Sequence, residues 1–105
     1  MYLYAWDEAK SASNFILRGF DFAFAVRLFD DRTVEHEDAR RDYGERRVVA
    51  IGVVDGVHLT VIYTDRIIGG MKIRRIISAR LSNNRERKEY GDGVQTQGET
   101  RPGPS

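Results

Sequence analysis

The stretch that decides the fold runs Arg75-Ile76-Ile77-Ser78-Ala79-Arg80-Leu81-Ser82-Asn83-Asn84-Arg85-Glu86-Arg87-Lys88-Glu89-Tyr90. Its first part, entered from Lys72, is rich in isoleucine and predicts a buried β-strand. Asn83 is a helix-capping residue type, and Glu86 three positions later completes a capping box, so a helix is predicted to follow. Arg80 stands where the strand gives way to the helix, which is a favourable place for a cation to meet a phosphate.

The composition is that of one globular domain. The chain has 105 residues, of which 41% are hydrophobic and 31% charged, and this length supports one hydrophobic core. It has no cysteine, which excludes disulfides and thiolate metal sites. No apolar run approaches the roughly 20 residues of a membrane helix, and the first residues lack the pattern of a signal peptide. We therefore expect a cytoplasmic protein that makes no membrane contact.

The small net charge of +1 hides a separation of charge along the chain. Residues 1–65 carry a charge of −4, residues 66–90 carry +6, and residues 91–105 carry −1. Clustered basic charge is the electrostatic signature of a site for a polyanion such as nucleic acid. The alternative is a solvated basic surface that pairs with the acidic half of the chain.

The N-terminal third predicts a strand and two helices. The strand covers residues 2–6. The first helix runs from Glu8 to Arg18, with Asp7 as its N-cap and Gly19 as its C-terminal stop. Residues 9, 12 and 16 give that helix an apolar stripe. A second helix is predicted over residues 22–29, after the capping residue Asp21.

The middle of the chain predicts hairpin-connected strands. Strands are expected over residues 33–37, 46–54, 57–64 and 72–78, with a two-residue hairpin turn at Asp55-Gly56 and a longer turn over residues 65–70. Antiparallel strands with helices segregated from them make an α+β domain. We predict two N-terminal helices, an antiparallel meander sheet and a C-terminal helix that ends near Tyr90. This single domain covers residues 1–91, and residues 92–105 are predicted to form a disordered tail.

No cofactor or metal motif stands out. Gly69-Gly70 joins two strands and opens no helix, so it predicts a turn and not a phosphate-binding loop. His36 has acidic neighbours at residues 35, 37 and 38, but successive residues of a strand point to opposite faces. We therefore expect no metal and no cofactor, and we interpret His36 and His58 as strand residues.

The remaining polar residues suit the cleavage of RNA without a metal. In that reaction the ribose 2′-hydroxyl attacks the adjacent phosphate, a base removes its proton, and an acid protonates the leaving 5′-oxygen. Cations stabilise the extra negative charge of the phosphorane, and the planar fork of arginine matches phosphate oxygens. The sequence supplies arginines, lysines and a few carboxylates in the basic half.

A series of short motifs resembles the BrnT family of type II toxins. It runs in order from about Tyr4 to Tyr90 and consists of Trp6-Asp7-Glu8-Ala9-Lys10 with Asn14, Phe22, Phe29-Asp30-Asp31, Arg41-Asp42-Tyr43-Gly44-Glu45-Arg46, Ala50-Ile51-Gly52, Val61-Ile62-Tyr63-Thr64-Asp65-Arg66, and Arg75-Ile76-Ile77-Ser78-Ala79-Arg80 with Glu86 and Tyr90. The resemblance implies a ribonuclease toxin with a fold like that of the RelE toxins. It also implies a BrnA-type antitoxin with a DNA-binding ribbon-helix-helix part, through which the pair represses its own operon.

Carried over by position, the resemblance implies a set of site residues. The hypothesis is that Arg80 and Arg66 bind the scissile phosphate, while Lys10 or Glu45 transfers protons. Trp6, Arg75 and Arg18 are the predicted RNA-binding residues. Many family members have Lys-His-Gly after the first helix, where this chain has Leu17-Arg18-Gly19. An arginine cannot replace a histidine in proton transfer at neutral pH, because its pKa lies above about 12.

Two other functions remain open from the sequence. One is a binding module that keeps the toxin fold and the antitoxin contact, has lost catalysis, and acts only in repression of the operon. The other is a plain nucleic-acid-binding domain without a toxin role.

Overall fold

A computed structural model describes the backbone of residues 2–99 and the side chains of residues 2–94. It has five strands, three α-helices and one 3₁₀-helix over the described residues. The elements in chain order are β1 (Leu3–Trp6), α1 (Glu8–Arg18), α2 (Phe22–Ala25), a 3₁₀-helix (Val26–Asp30), β2 (Val34–Glu37), β3 (Val48–Val54), β4 (Val57–Ile68), β5 (Met71–Leu81) and α3 (Asn84–Glu99). The α+β class is therefore confirmed. Within the described residues no helix is both long and apolar enough to span a membrane.

The five strands form one mixed sheet in the order β1-β5-β4-β3-β2. Strands β2 to β5 are the predicted antiparallel meander. The expectation of a wholly antiparallel sheet is wrong, because β1 pairs in parallel with residues 73–76 of β5. Parallel neighbours need a crossover connection, and here the helices and the meander lie between the two strands in the chain.

Helix α1 has the predicted bounds and caps. The carboxylate of Asp7 accepts a hydrogen bond from the backbone N–H of Lys10 at 3.1 Å, and Gly19 adopts a left-handed φ of 86°. The second predicted helix is shorter than expected. It is α-helical only to Ala25 and then tightens into the 3₁₀-helix, a frequent form of the last turn of a helix.

The two sheet faces carry separate apolar clusters. We call the face covered by α2 and the 3₁₀-helix the main-core face. There the strand residues Leu59, Val61 and Ile76 pack with Phe22 and Leu28 of the helical segment. The opposite face, here called the α3 face, carries a smaller cluster of Val49, Ile51 and Ile62 with Ile77 and Tyr90 packed against it. Successive residues of a strand point to alternate faces, so the strand position of each polar residue decides on which of these two faces its side chain lies.

One hairpin turn is confirmed and one is corrected. Asp55 and Gly56 have φ values of 50° and 78°, as a tight turn between antiparallel strands requires. The predicted turn over residues 65–70 is wrong, because β4 continues to Ile68 and only Gly69-Gly70 forms the turn. Asp65 and Arg74 pair across the extended strands with two hydrogen bonds of 2.8 and 2.9 Å, which supports this extension.

The predicted capping box of α3 is confirmed. The backbone N–H of Asn83 donates to Glu86 Oε1 at 2.9 Å, and the backbone N–H of Glu86 donates to Asn83 Oδ1 at 2.8 Å. These reciprocal bonds satisfy donors that the start of a helix leaves without partners.

Helix α3 is longer than predicted. It runs to Glu99 and not to Tyr90, so residues 92–99 are helical where we expected a disordered tail. Lys88 and Asp92 form an ion pair of 2.9 Å one turn apart, which bridges Gly91. At Gly93 an added Cβ would lie 2.5 Å from Val34, so the missing side chain lets the helix pass close to β2. Residues 100–105 of the predicted tail lie outside the described residues, and the division into a domain and a tail stays a prediction.

Candidate functional site

A β-bulge places Arg75 and Arg80 on the same face of the sheet. Residues five apart on a regular strand point to opposite faces. The pairing of β4 with β5 shifts between Ile62 and Tyr63, so that Ile77 is the extra residue on β5. Arg80 therefore lies opposite Thr60 and Arg75 lies opposite Thr64, and both side chains belong to the α3 face.

A carboxylate lies between two guanidinium groups on the same face. Glu45 Oε1 accepts a hydrogen bond from Arg66 Nη2 at 3.0 Å, and Glu45 Oε2 accepts one from Arg47 Nε at 3.1 Å. Arg75 is diagonal to Arg66 across the β4–β5 ladder, roughly 7–8 Å away for such positions. Arg75 is exposed and makes no ion pair with the described residues. We call Glu45, Arg47, Arg66 and Arg75 the Glu45 cluster.

The loop before β3 holds this cluster in place. The Tyr43 ring lies under the guanidinium of Arg47, whose Cζ is 4.0 Å from the ring centroid. The Tyr43 hydroxyl donates to Asp38 at 3.3 Å, and Asp38 also accepts two hydrogen bonds from the guanidinium of Arg40 and one from its backbone N–H. Gly44 has a left-handed φ of 72°, which lets the chain turn from the tyrosine to Glu45. Sequence reasoning missed Arg47 and Tyr43, although the charged run of residues 45–47 was visible.

The electrostatics keep the loop and cluster carboxylates ionised. Hydrogen bonds from Arg66 and then from Arg47 lower the pKa of Glu45 below its ordinary value. The side-chain hydrogen bonds from Arg40 lower the pKa of the buried Asp38 to about 2. Glu45 is therefore ionised at neutral pH, as a group that accepts a proton must be.

Arg80 is held by a carboxylate of α3. Its Nη1 and Nη2 donate to Glu86 Oε1 and Oε2 at 2.6 and 2.7 Å. Hydrogen bonds from Arg80 lower the pKa of Glu86 to about 2, so the pair is ionised throughout the physiological range. Arg80 Nε makes no hydrogen bond with a described residue, so one edge of the guanidinium stays available to an anion.

Arg80 does not converge with Arg66. Thr60, opposite Arg80, and Arg66 are six residues apart on β4, or roughly 20 Å at the rise of a strand. The two side chains therefore start far apart, and Arg80 is bonded to Glu86 and not to the groups around Arg66. The structure thus brings Arg66, Arg75 and Glu45 together and leaves Arg80 beside α3.

Lys10 and Arg18 lie at a different place. Together with Ile77 and Ser78 they line an open groove of about 310 Å³ between α1 and β5, beyond the end of β1. Arg18 Nη1 donates to Asn14 Oδ1 at 2.8 Å and to the carbonyl oxygen of Ala79 at 3.0 Å. Arg18 therefore bonds the edge of β5, and neither residue contacts the Glu45 cluster.

Trp6 packs against the main core and is partly buried. Its ring packs edge-on against Phe22, with the ring centroids 6.5 Å apart. Its Nε1 is buried and has no hydrogen-bond partner among the described residues. The ring is partly buried against the main-core cluster, and the role of Trp6 in RNA binding stays a prediction.

The histidines are also apart from the cluster. His36 Nδ1 lies 3.6 Å from Glu89 Oε1, and His58 packs edge-on against Tyr90. Across the part of the chain that the structure describes, no three His, Cys, Asp or Glu side chains are grouped so that they could hold a metal ion.

Comparison with protein families gives one assignment. Residues 6–86 match the family described as the ribonuclease toxin, BrnT, of type II toxin-antitoxin systems. Comparison with curated proteins gives no match. The matched segment begins at Trp6, ends at Glu86 and includes the whole Glu45 cluster. Since it covers most of the sequence, the chain belongs to the BrnT family of ribonuclease toxins.

Proposed function

We propose that this chain is an endoribonuclease that cleaves RNA at the Glu45 cluster and needs no metal ion. The observation that carries the proposal is the carboxylate of Glu45 between Arg47 and Arg66, with Arg75 diagonal to Arg66 across the β4–β5 ladder. A base and several phosphate-binding cations on one exposed sheet face are the groups that the reaction requires. Inhibition of translation and of growth follows from the loss of RNA in the cytoplasm.

The proposed reaction begins with the ribose 2′-hydroxyl. Glu45 takes its proton while the 2′-oxygen attacks the phosphorus, and the bond from phosphorus to the 5′-oxygen breaks. The departing 5′-oxygen takes a proton from water, and Glu45 then returns its proton to the resulting hydroxide. The products are a 2′,3′-cyclic phosphate and a 5′-hydroxyl, and the enzyme regains its starting state.

The arginines have two tasks in this proposal. Arg66 and Arg75 bind the phosphate oxygens, where bidentate hydrogen bonds stabilise the phosphorane. When the phosphate draws Arg66 away from Glu45, the main cause of the lowered pKa of Glu45 is weakened. Substrate binding then makes Glu45 a stronger base at the moment it is needed.

Arg80 has a positioning role in this scheme. Its bonds to Glu86 fix the start of α3 against β5, and its free Nε edge can contact a more distant RNA phosphate. Lys10, Trp6 and Arg18 are left out of the proposed chemistry because of their contacts and positions. The hypothesis that Arg80 and Arg66 hold one phosphate is thereby replaced.

The antitoxin and the fold relationship are part of the same proposal. The resemblance noted from the sequence favours a BrnA-type ribbon-helix-helix antitoxin that neutralises the toxin and contacts operator DNA. It also favours kinship with the RelE toxins. The arrangement of a first strand, two helices, an antiparallel run of strands and a final helix supports that kinship.

A second candidate function is a binding module that acts with the antitoxin in repression of the operon. The observation in its favour is Arg18, which stands where many relatives have histidine and is engaged with Asn14 and the carbonyl of Ala79. If that histidine were the essential acid or base, this chain would bind and not cleave.

The test uses a short single-stranded RNA and the purified toxin in excess EDTA. We expect cleavage with a cyclic phosphate product, and we expect no cleavage of the same oligonucleotide with 2′-deoxyribose throughout. The variant Glu45→Gln should lose about a hundredfold or more in rate while binding the RNA. If the wild type binds the antitoxin and operator DNA as a complex but never cleaves RNA, the binding module is the better function.

A further inference from the structure

Helix α1 turns its polar side inward. Ser11 and Asn14 are its buried residues, each 5% exposed. Ser11 Oγ accepts the backbone N–H of Phe22 at 3.0 Å, and Asn14 Nδ2 donates to the carbonyl of Phe20 at 2.9 Å. On this side α1 therefore contacts the domain through hydrogen bonds to the segment that follows it and, from Arg18, to the carbonyl of Ala79 in β5. The apolar residues on the other side of the helix are exposed and do not pack in the main core.

The outward side of α1 carries three large apolar residues near the C-terminal end of the helix. Phe15, Ile16 and Leu17 are 58%, 81% and 79% exposed. Single exposed apolar residues are normal on protein surfaces, but contiguous ones mark sites of interaction. The stripe of residues 9, 12 and 16 that the sequence predicts does exist, and it faces away from the main core.

The apolar surface continues beyond the helix. A groove of about 330 Å³ is lined by Phe15, Phe20 and Phe24 of the helical segment and by Val57 and Leu81 of the sheet. A large apolar side chain has a surface area of roughly 150–250 Å². Together with the exposed fractions, this gives an exposed apolar area on the order of 500 Å² for Phe15, Ile16, Leu17, Val57 and Leu81. That is about the apolar part of a standard interface, which covers about 800 Å² on each partner. We call these five residues the α1 patch.

A cation borders the α1 patch. Lys10 lines the groove between α1 and β5 together with Leu17, and its ammonium makes no ion pair with a described residue. Asp7, which lines the same groove, already accepts the backbone N–H of Lys10. A carboxylate on the occupant of the patch would complement Lys10.

We propose that the α1 patch is the docking surface for the antitoxin of this toxin-antitoxin pair. The occupant is an antitoxin segment with large aliphatic or aromatic side chains and a neighbouring carboxylate that meets Lys10. The proposal rests on the proposed antitoxin pairing and not on the cleavage chemistry. Because α1 lies beside the outer edge of β5, this contact anchors the antitoxin away from the Glu45 cluster.

The experiment measures binding of the proposed BrnA-type antitoxin, as the full-length purified protein. The toxin variants are Ile16→Asp and Leu17→Asp, each assayed for antitoxin affinity and for RNA cleavage. Hot-spot residues cost about 2 kcal/mol or more, which corresponds to about 30-fold in affinity. We expect a loss of at least about 30-fold for each variant, with the rate of RNA cleavage unchanged.

The matched control is Ile67→Asp, since Ile67 is 74% exposed at the far tip of the β4–β5 hairpin. It should bind the antitoxin like the wild type. Unchanged affinity in both α1 variants, or an equal loss in the control, would overturn the proposal. A third outcome would also overturn it: the free toxin self-associates, and the α1 variants abolish this self-association but still bind the antitoxin. A second copy of the toxin would then be the occupant of the α1 patch. Absence of RNA cleavage by the wild type would refute the proposed reaction and leave the binding result to decide the α1 patch.

Discussion

The bond between Arg80 and Glu86 predicts a stability that depends on pH. Replacing Glu86 with glutamine keeps the size of the side chain and the oxygen that completes the capping box, but removes the charge. The pKa of Glu86 falls from 4.5 to about 2 in the folded protein. At 1.36 kcal/mol for each tenfold change in proton affinity, this corresponds to at most about 3 kcal/mol.

The exposure of the pair reduces that figure. Arg80 is 37% exposed and Glu86 12% exposed, so solvent screens the interaction. We expect Glu86→Gln to lower the free energy of unfolding by about 1–2 kcal/mol at pH 7. Such a loss lowers the Tm by about 4–8 °C for each kcal/mol in a domain of this size.

The pH dependence gives the sharper result. A group whose folded pKa is depressed adds stability above its unfolded pKa and loses that stability as the pH falls through the folded pKa. The difference between wild type and Glu86→Gln should therefore be full above about pH 5 and nearly absent near pH 2. Urea unfolding at several pH values measures it.

A control on the same helix separates the ion pair from the helix itself. Glu89 lies 3.6 Å from His36 and forms no hydrogen bond there, so Glu89→Gln should change the free energy of unfolding by less than about 0.5 kcal/mol. An equal loss for Glu86→Gln at pH 7 and at pH 2.5 would refute the ionic origin of the effect.

Two further predictions concern packing at Gly52 and the side chain at position 18. Gly52→Ala should cost about 1–3 kcal/mol in the free energy of unfolding, because the new Cβ would lie 2.6 Å from Leu28 Cδ1. Arg18→His should leave the rate of RNA cleavage within about threefold, because Arg18 donates to the carbonyl of Ala79 and does not contact the Glu45 cluster. Loss of that hydrogen bond should lower the free energy of unfolding by about 1 kcal/mol.

Each of these has a clear contrary outcome. A Gly52→Ala variant as stable as the wild type in urea would mean that the 3₁₀-helix moves freely over β3. In that case, shortening the Leu28 side chain in the Gly52→Ala variant should not raise its free energy of unfolding. A tenfold or greater gain in RNA cleavage by Arg18→His would place position 18 in the catalytic machinery.

Local sequence signals predicted the elements well. Capping residues such as Asp7, Gly19 and Asn83 act through neighbours within four positions, so their effect can be read from the chain directly. The parallel pairing of β1 with β5 could not be predicted in this way, because it joins residues about 70 positions apart. Whether β4 ended at Thr64 or Ile68 also depended on a cross-strand partner.

Some residues of the candidate site were predicted from the sequence. Charge separation pointed to the segment that contains Arg66, Arg75 and Arg80, and the resemblance added Glu45. Which of these side chains meet is set by the bulge at Ile77, and an irregularity of this kind has no sequence signal that we recognised. Without it Arg75 and Arg80 would face opposite sides of the sheet.

Helix α1 shows a different limit of sequence reasoning. Its apolar periodicity is real, but periodicity does not say whether the apolar side meets the core or a partner protein. Polar residues such as Ser11 and Asn14 can occupy the inner side when each finds a backbone group to bond.

In the proposed reaction Glu45 is the base and Arg66 binds the scissile phosphate, while Arg80 does not contact the reacting atoms. The most direct measurement is the single-turnover rate of cleavage of one RNA oligonucleotide by the wild type, Glu45→Gln and Arg80→Lys under the same conditions. We predict a loss of about a hundredfold or more for Glu45→Gln and a loss below about tenfold for folded Arg80→Lys. Near wild-type cleavage by Glu45→Gln, together with an inactive but folded Arg80→Lys, would contradict the account and return the reaction centre to the strand end beside α3.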